Sequence, residues 1–251
     1  MKCLMMSLLL MIAMFCYAQS AAVQKLIIVR DNVDYPPLEY HENGKLTGFH
    51  VELVNVIAKK LNMTVEWQEY PWKRALHTVE TGHADAITYI SKTEEREKWA
   101  YFNPKNILSS ATFSFLIRKD SKKDIVYQNN LEELLKNRTL LIITGFALPE
   151  KVTQLKPKIY EAPQMNNLVN MLCNKRYDLA LINKSDYVTA YQNTKTEKDL
   201  SILEPPVHEF SNYIAFSKAK KIEDLSNKFS EELAKFKKTK EYTDLKKKYN
   251  Q

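Results

Sequence analysis

The stretch VELVNVIAKKLNMTVEW at residues 51–67 changes its period once, and that change decides the fold. Its first part sets Leu53, Val54, Ile57, Ala58 and Leu61 at helical spacing, and Val65-Glu66-Trp67 then turns to a strand run. Working outward, Leu26-Ile27-Ile28-Val29 upstream reads as a buried strand. Downstream, residues 72–80 read as a helix stopped at Gly82, and residues 84–90 as the next strand. Strand, helix, strand, helix, strand predicts a parallel sheet with helices on its faces.

The same grammar restarts further along: helix 131–136, strand 140–143, a helix near 149–155, strand 159–161, helix 167–174, strand 179–182. Two α/β lobes follow. The apolar run at residues 111–118 suits a strand leaving the first lobe for the second, and a return crossing is expected near Pro205-Pro206, followed by strand 213–216. The helical remainder has no third sheet to cover and is assigned to lobe one. Two crossings between two lobes make a hinge around a cleft, the place where small ligands bind in α/β folds. The expected boundaries are 1–20 for a removable leader, 21–112 with 208–251 for lobe one, and 113–207 for lobe two.

Composition excludes several classes. The 251 residues, 45% hydrophobic and 27% charged, describe a foldable globular chain. With only Gly44, Gly48, Gly82 and Gly145, neither G-x-G-x-x-G nor G-x-x-x-x-G-K-[ST] occurs, so the common phosphate cradles are missing. Lys2, the apolar run at 4–15 and the small residues of Ala18-Gln19-Ser20 read as a secretory signal rather than a buried core helix. Cys16 follows the bulky pair Met14-Phe15, which argues against lipid attachment and for free export, most simply into a bacterial periplasm. Removal of the leader takes Cys3 and Cys16 and leaves Cys173 alone, without a disulfide partner or a multi-cysteine metal site.

The net charge of +7 is concentrated at one end, since residues 218–251 hold eleven Lys against six Asp or Glu. Those lysines alternate with Phe229, Leu233, Phe236, Leu245 and Tyr249 in an amphipathic pattern, which reads as a solvated helix face and not as a nucleic-acid groove. His41, His50, His77, His83 and His208 are scattered without H-E-x-x-H spacing, so no metal is expected, and there is no G-x-S-x-G turn for a nucleophile.

Five motifs in order carry a family resemblance: Tyr35-Pro36-Pro37-Leu38-Glu39-Tyr40; Gly48-Phe49-His50-Val51-Glu52-Leu53 after Gly44; Gly82-x-Ala84-Asp85-Ala86; Ser91-Lys92-Thr93-Glu94-Glu95-Arg96; and Tyr177-Asp178-Leu179-Ala180. The chain resembles the family 3 extracellular solute-binding proteins, the polar amino-acid receptors of bacterial ABC importers. The most specific element is S-x-T-x-x-R after a G-x-x-D-A strand. The resemblance implies the two-lobed periplasmic binding protein fold (type II), each lobe a mainly parallel sheet flanked by helices and joined by two hinge crossings.

It also implies roles. Arg96 grips a ligand carboxylate as a two-pronged fork, and Ser91 adds a hydroxyl or backbone N–H. Tyr35 and Trp72 are two aromatic shelves around the ligand, with Tyr89 in the same binding set. Lobe two departs from the family pattern. An aspartate that pairs with the ligand's ammonium is replaced by Asn183, leaving Asp186, Asp31 and Asp34 as acids available to compensate. The G-[ST]-T turn is replaced by Thr144-Gly145-Phe146-Ala147, where Gly145 stays in the binding set.

The expectation is a non-enzymatic, monomeric receptor without cofactor. It captures a small polar, carboxylate-bearing ligand by hinge closure, for delivery to an ABC permease in the inner membrane. Two alternatives use the same fold: a ligand sensor handing its closed form to a sensor kinase, and a dehydratase-like enzyme. The latter lacks its expected acid, since Asn183 has no titrating proton.

Overall fold

The computed structural model describes residues 23–191 and 194–251, so the leader at 1–20 lies outside the described residues. The first half of the chain builds β1 (Gln24–Asp31), a small hairpin of β2 (Tyr40–Glu42) and β3 (Lys45–Thr47), α1 (Phe49–Lys60), β4 (Met63–Tyr70), α2 (Trp72–Glu80), β5 (Ala86–Ile90), α3 (Glu94–Glu97) and β6 (Ala100–Tyr101). The long strand β7 (Ile107–Arg118) leads to α4 (Leu131–Leu135), β8 (Thr139–Ile143), α5 (Glu150–Thr153), β9 (Lys158–Ala162), α6 (Met165–Cys173), β10 (Leu179–Asn183), α7 (Lys184–Tyr191) and β11 (Leu200–Ile202). The chain returns through β12 (His208–Ser217) and ends in α8 (Glu223–Phe236) and α9 (Lys240–Lys248).

The strands lie in the order β4-β1-β5-β12-β7-β10-β8-β9. At one end β1 pairs in parallel with β4 and β5, and at the other β8 pairs in parallel with β9 and β10. The sequence suggests two separate sheets, but β7 and β12 pair with each other antiparallel, from His208↔Phe113 to Tyr213↔Ile107. One continuous sheet therefore runs through both halves. Each crossing strand pairs with the other over one half of its length and with its own lobe's strands over the rest, β7 with β10 and β11 and β12 with β5 and β6, which is why both are unusually long.

The core is divided accordingly. Phe49, Leu53, Val54 and Ile57 of α1 pack with Leu26, Ile28, Phe216 and, from the C-terminal helices, Phe229, Leu233 and Phe236. On the opposite face of that half-sheet, Ala75 and Val79 of α2 meet Val29, Ile87 and Ala215. Two further clusters cover the other half: Phe115, Leu140, Ile142 and Leu181 on one face, Leu116, Leu141, Leu168, Leu172 and Ile182 on the other. Each fully buried Leu, Ile or Phe contributes about 1.5–3 kcal/mol, which is what ties the lysine-rich C-terminal helices to the first half. Among the described residues no helix is long and apolar enough to cross a membrane.

Candidate functional site

The C-terminal ends of the strands from both halves converge on one cleft. Its walls include Asp31, Tyr35, Trp72, Tyr89, Ser91 and Arg96 from the first half, Ile143, Phe146, Ala147, Asn183 and Asp186 from the second, and Phe113, Phe210 and Asn212 from the two crossing strands. The free space between these walls is about 60 Å³, well below the several hundred Å³ of an ordinary small-molecule pocket.

Arg96 is placed by a short local device. Thr93 caps α3, its hydroxyl accepting from the Arg96 backbone N–H at 3.2 Å. The guanidinium folds back so that Nη1 donates to the Ser91 carbonyl at 2.7 Å and to Ser91 Oγ at 3.2 Å. The serine, threonine and arginine of the S-x-T-x-x-R phrase thus have separate mechanical roles. Arg96 is only 6% exposed, and among the described residues it has no carboxylate within ion-pair distance. Burial pulls its pKa down to about 10, with Glu95 offsetting part of that, so it stays cationic at neutral pH while lacking a counter-charge.

The lobe-two turn reaches across to it. The Gly145 carbonyl accepts from Arg96 Nη2 at 2.9 Å and from Trp72 Nε1 at 3.1 Å. Gly145 has φ +74°, and a Cβ there would lie 3.2 Å from Trp72 Cδ1, so glycine permits both the left-handed turn and the close approach.

Tyr89 enters the site through strained backbone. Its φ is +56°, rare for a bulky side chain, and the β5–β12 register shifts at this point, with Ile90 opposite Tyr213 and Ile87 opposite Ala215. The bulge turns the ring toward Tyr35, 5.0 Å between centroids. The Tyr89 hydroxyl donates to Asp186 and accepts from Asn183 Nδ2 at 2.9 Å. Tyr35 donates to Asp31 Oδ2 at 2.8 Å. Burial pushes the Asp186 carboxyl up to about 7 against the lowering effect of its bonds with Tyr89 and Asn183. Asp31 is raised too, again by burial, with the Tyr35 hydroxyl opposing.

All seven residues singled out from the sequence, Tyr35, Trp72, Tyr89, Ser91, Arg96, Gly145 and Asn183, come together here. Of the three compensating acids, Asp31 and Asp186 line the cleft. Asp34 does not, lying instead 2.9 Å from His41 Nδ1. Sequence reasoning missed the stacked hinge aromatics Phe113 and Phe210, 4.1 Å apart, and Phe146, edge-on to Phe113 at 4.9 Å. Phe146 directly follows Gly145 in the turn already singled out, which was the available signal. Behind the cleft, His50 bridges Glu39 Oε1 at 3.1 Å and Ser109 Oγ at 2.9 Å, and Ser109 accepts from the cleft residue Asn212 at 3.0 Å.

Two α/β halves joined by paired crossing strands around such a cleft define a two-lobed binding-protein fold. Residues 27–251 match the model of the bacterial extracellular solute-binding proteins, family 3, and the chain belongs to that family. It is 27% identical over 240 residues to the arginine-binding extracellular protein ArtP of Bacillus subtilis (strain 168), covering 92% of this chain and 88% of ArtP. Among solved structures it is similar to a histidine kinase sensor domain resembling periplasmic binding proteins (TM-score 0.75, 23% identity, 90% of this chain and 96% of that one). It also resembles the substrate-binding protein of an amino acid ABC transporter (TM-score 0.72, 23% identity, 90% and 98%).

Proposed function

We propose that this protein captures a small amino-acid-type ligand through its carboxylate and hands it, as a monomeric periplasmic receptor, to an ABC permease. The observation that carries the reading is Arg96: a buried guanidinium, aimed into the cleft, whose partners are all neutral oxygens. A buried cation without counter-charge is unfavourable unless something supplies one, and a ligand carboxylate matches the fork while excluding water. Tyr35 and Trp72 provide the aromatic walls, Ser91 the supporting oxygen, and Tyr89, Gly145 and Asn183 the contacts that complete the site on closure.

The lobes in this reading are residues 21–112 with 208–251, and residues 113–207, hinged at β7 and β12. Contacts from Trp72 and Arg96 to Gly145, and from Tyr89 to Asp186, join the two walls directly, and a free space of about 60 Å³ means the lobes must part to admit an amino acid. Ligand contacts that exist only with both walls in place then shift the population toward closure. The role is binding and not catalysis, in line with the binding-protein relatives.

A thermal-shift screen of amino acids, dicarboxylates and small peptides tests this. A true ligand raises apparent stability by RT ln(1 + [L]/Kd), and the expected hits carry a free carboxylate. Hits confined to uncharged solutes would overturn it.

A further inference from the structure

Three charged side chains line the cleft: Arg96, Asp31 and Asp186. Among the described residues none of them forms an ion pair, with each other or with anything else. One cation faces two carboxylates, so with all three ionised the cleft carries one surplus negative charge. A ligand that leaves no buried charge uncompensated brings one carboxylate and two positive groups.

The contacts along the wall place them. Arg96 rests on Ser91, two residues after Tyr89, whose hydroxyl touches Asp186. The Tyr89 ring packs on Tyr35, which in turn holds Asp31. Asp186 shares the Tyr89 hydroxyl with Asn183, and Asp31 is held one aromatic ring further on, behind Tyr35. From the structure we infer that the cleft selects a cationic amino acid, its carboxylate on Arg96, its α-ammonium on Asp186 in place of an acid at position 183, and its side-chain cation on Asp31. This rests on the carboxylate reading of Arg96.

A consequence concerns protons. The groups facing Asp186 are the Tyr89 hydroxyl from β5, Asn183 from β10, and Asp31 and Tyr35 on the opposite wall, with Glu39 behind them. None is a cation, and the Asp186 carboxyl is pushed up to about 7. An arriving ammonium favours the carboxylate, so the Asp186 proton leaves to solvent as the ligand binds. No bond in the ligand changes.

Calorimetric titration with arginine, lysine, glutamine and glutamate decides the matter. Wild type is expected to bind arginine or lysine at least tenfold more tightly than glutamine. Asp31→Asn is expected to lower affinity for the cationic ligand by about ten- to a hundredfold and for glutamine by little, and Asp186→Asn to weaken both. Near pH 7, wild-type binding should release a fraction of a proton, measured in buffers of different ionisation enthalpy, and the Asp186→Asn protein should release none. Glutamine or glutamate binding as well as arginine, or Asp31→Asn weakening all ligands equally, would overturn the inference while leaving the carboxylate reading intact. If no amino acid binds, both fall. Wild type alone carries the test should a variant misfold, since its preference for arginine or lysine over glutamine needs no substitution, and its affinity for every amino acid that binds must rise with pH through about 7 and then level off.

Discussion

Two arginines of the first lobe are buried to nearly the same degree and serve opposite ends. Arg30 is fully buried, and every direction it points is answered. Glu39 Oε2 lies at 3.3 Å from Nε and Glu69 Oε1 at 3.2 Å from Nη1, and Nη2 donates to the carbonyls of Val33 at 2.6 Å and Glu39 at 3.0 Å. Burial raises the Glu39 carboxyl, but His50 and Arg30 outweigh it and hold the group below its ordinary value. Arg96, by contrast, meets only neutral oxygens. A closed charge network fixes structure, whereas a buried charge left open on one side is capacity for a ligand.

The largest expected effect comes from breaking the closed network. Arg30→Ala takes the guanidinium partner from the buried Glu39, leaving only His50 beside it, and should cost about 3–5 kcal/mol of folding stability, read from urea denaturation. A loss below about 1 kcal/mol would mean that the network is not what holds the Tyr35 loop against β1.

Arg96→Ala should reverse the pattern. The oxygens it leaves, on Ser91 and Gly145, face the cleft where water can reach them, and relief of a desolvated charge offsets the lost bonds. Stability should stay within about 1 kcal/mol of wild type while affinity for a carboxylate ligand falls by at least ten- to a hundredfold. Unchanged affinity by calorimetry would remove the contrast between the two arginines, and a variant unable to fold would make Arg96 structural like Arg30.

The same contrast extends to the acids and gives a pH signature. The folded-state value for Asp186, about 7, lies above its ordinary 3.8, so the folded protein holds this proton more tightly than the unfolded chain. The associated stability is complete below about pH 4 and is lost as pH rises to about 7, after which the deficit is constant. Asp186→Asn removes that loss. In thermal denaturation without ligand the variant should gain on wild type as pH rises through this window, with little difference at the acidic end. A difference independent of pH would show that the carboxyl titrates alike in the folded and unfolded chain, and a trend of opposite sign would show a cation partner in solution.

Much of the fold was legible because burial on a sheet or a helix face imposes a period. The run at residues 51–67 shows both periods side by side, and α2 falls at Trp72–Glu80 as read. The hairpin β2–β3 was missed because three-residue strands are too short for alternation to register. The start of β12 was missed because its first residues, His208 and Glu209, are exposed and polar, their strand conformation coming from pairing with Phe113 and Thr112 nearly a hundred residues away. At the site, the arginine and its supports carry a local motif. The left-handed turn at Tyr89 depends on a bulge against β12, and α7, which carries Asp186, has no amphipathic pattern, beginning where β10 ends. Neither is written in any short window of sequence.

The smallest effect belongs to Asn183→Asp, and it separates what sequence and structure expect of the acid end. Read from sequence, an aspartate restored at position 183 strengthens binding of α-amino acids, because a carboxylate replaces an amide beside a shielded ammonium. In the structure Asn183 already has other work: its Nδ2 donates to the Tyr89 hydroxyl at 2.9 Å and its Oδ1 accepts from the Ser185 N–H at 3.0 Å. An ionised aspartate has no donor for Tyr89 and sits beside Asp186, so the two carboxylates share one proton and titrate as a pair. A ligand ammonium must then displace that proton from a more basic pair. Affinity near pH 7 is expected to stay level or fall a few-fold, and to recover above about pH 8, moving the midpoint of the pH dependence upward. Titrating wild type and variant with one amino acid from about pH 6 to about pH 9 distinguishes the cases. A gain in affinity at pH 7 without a shifted midpoint would place the ammonium at residue 183 and leave Asp186 a bystander, and the asymmetry between sealed and open charges would then hold for the arginines alone.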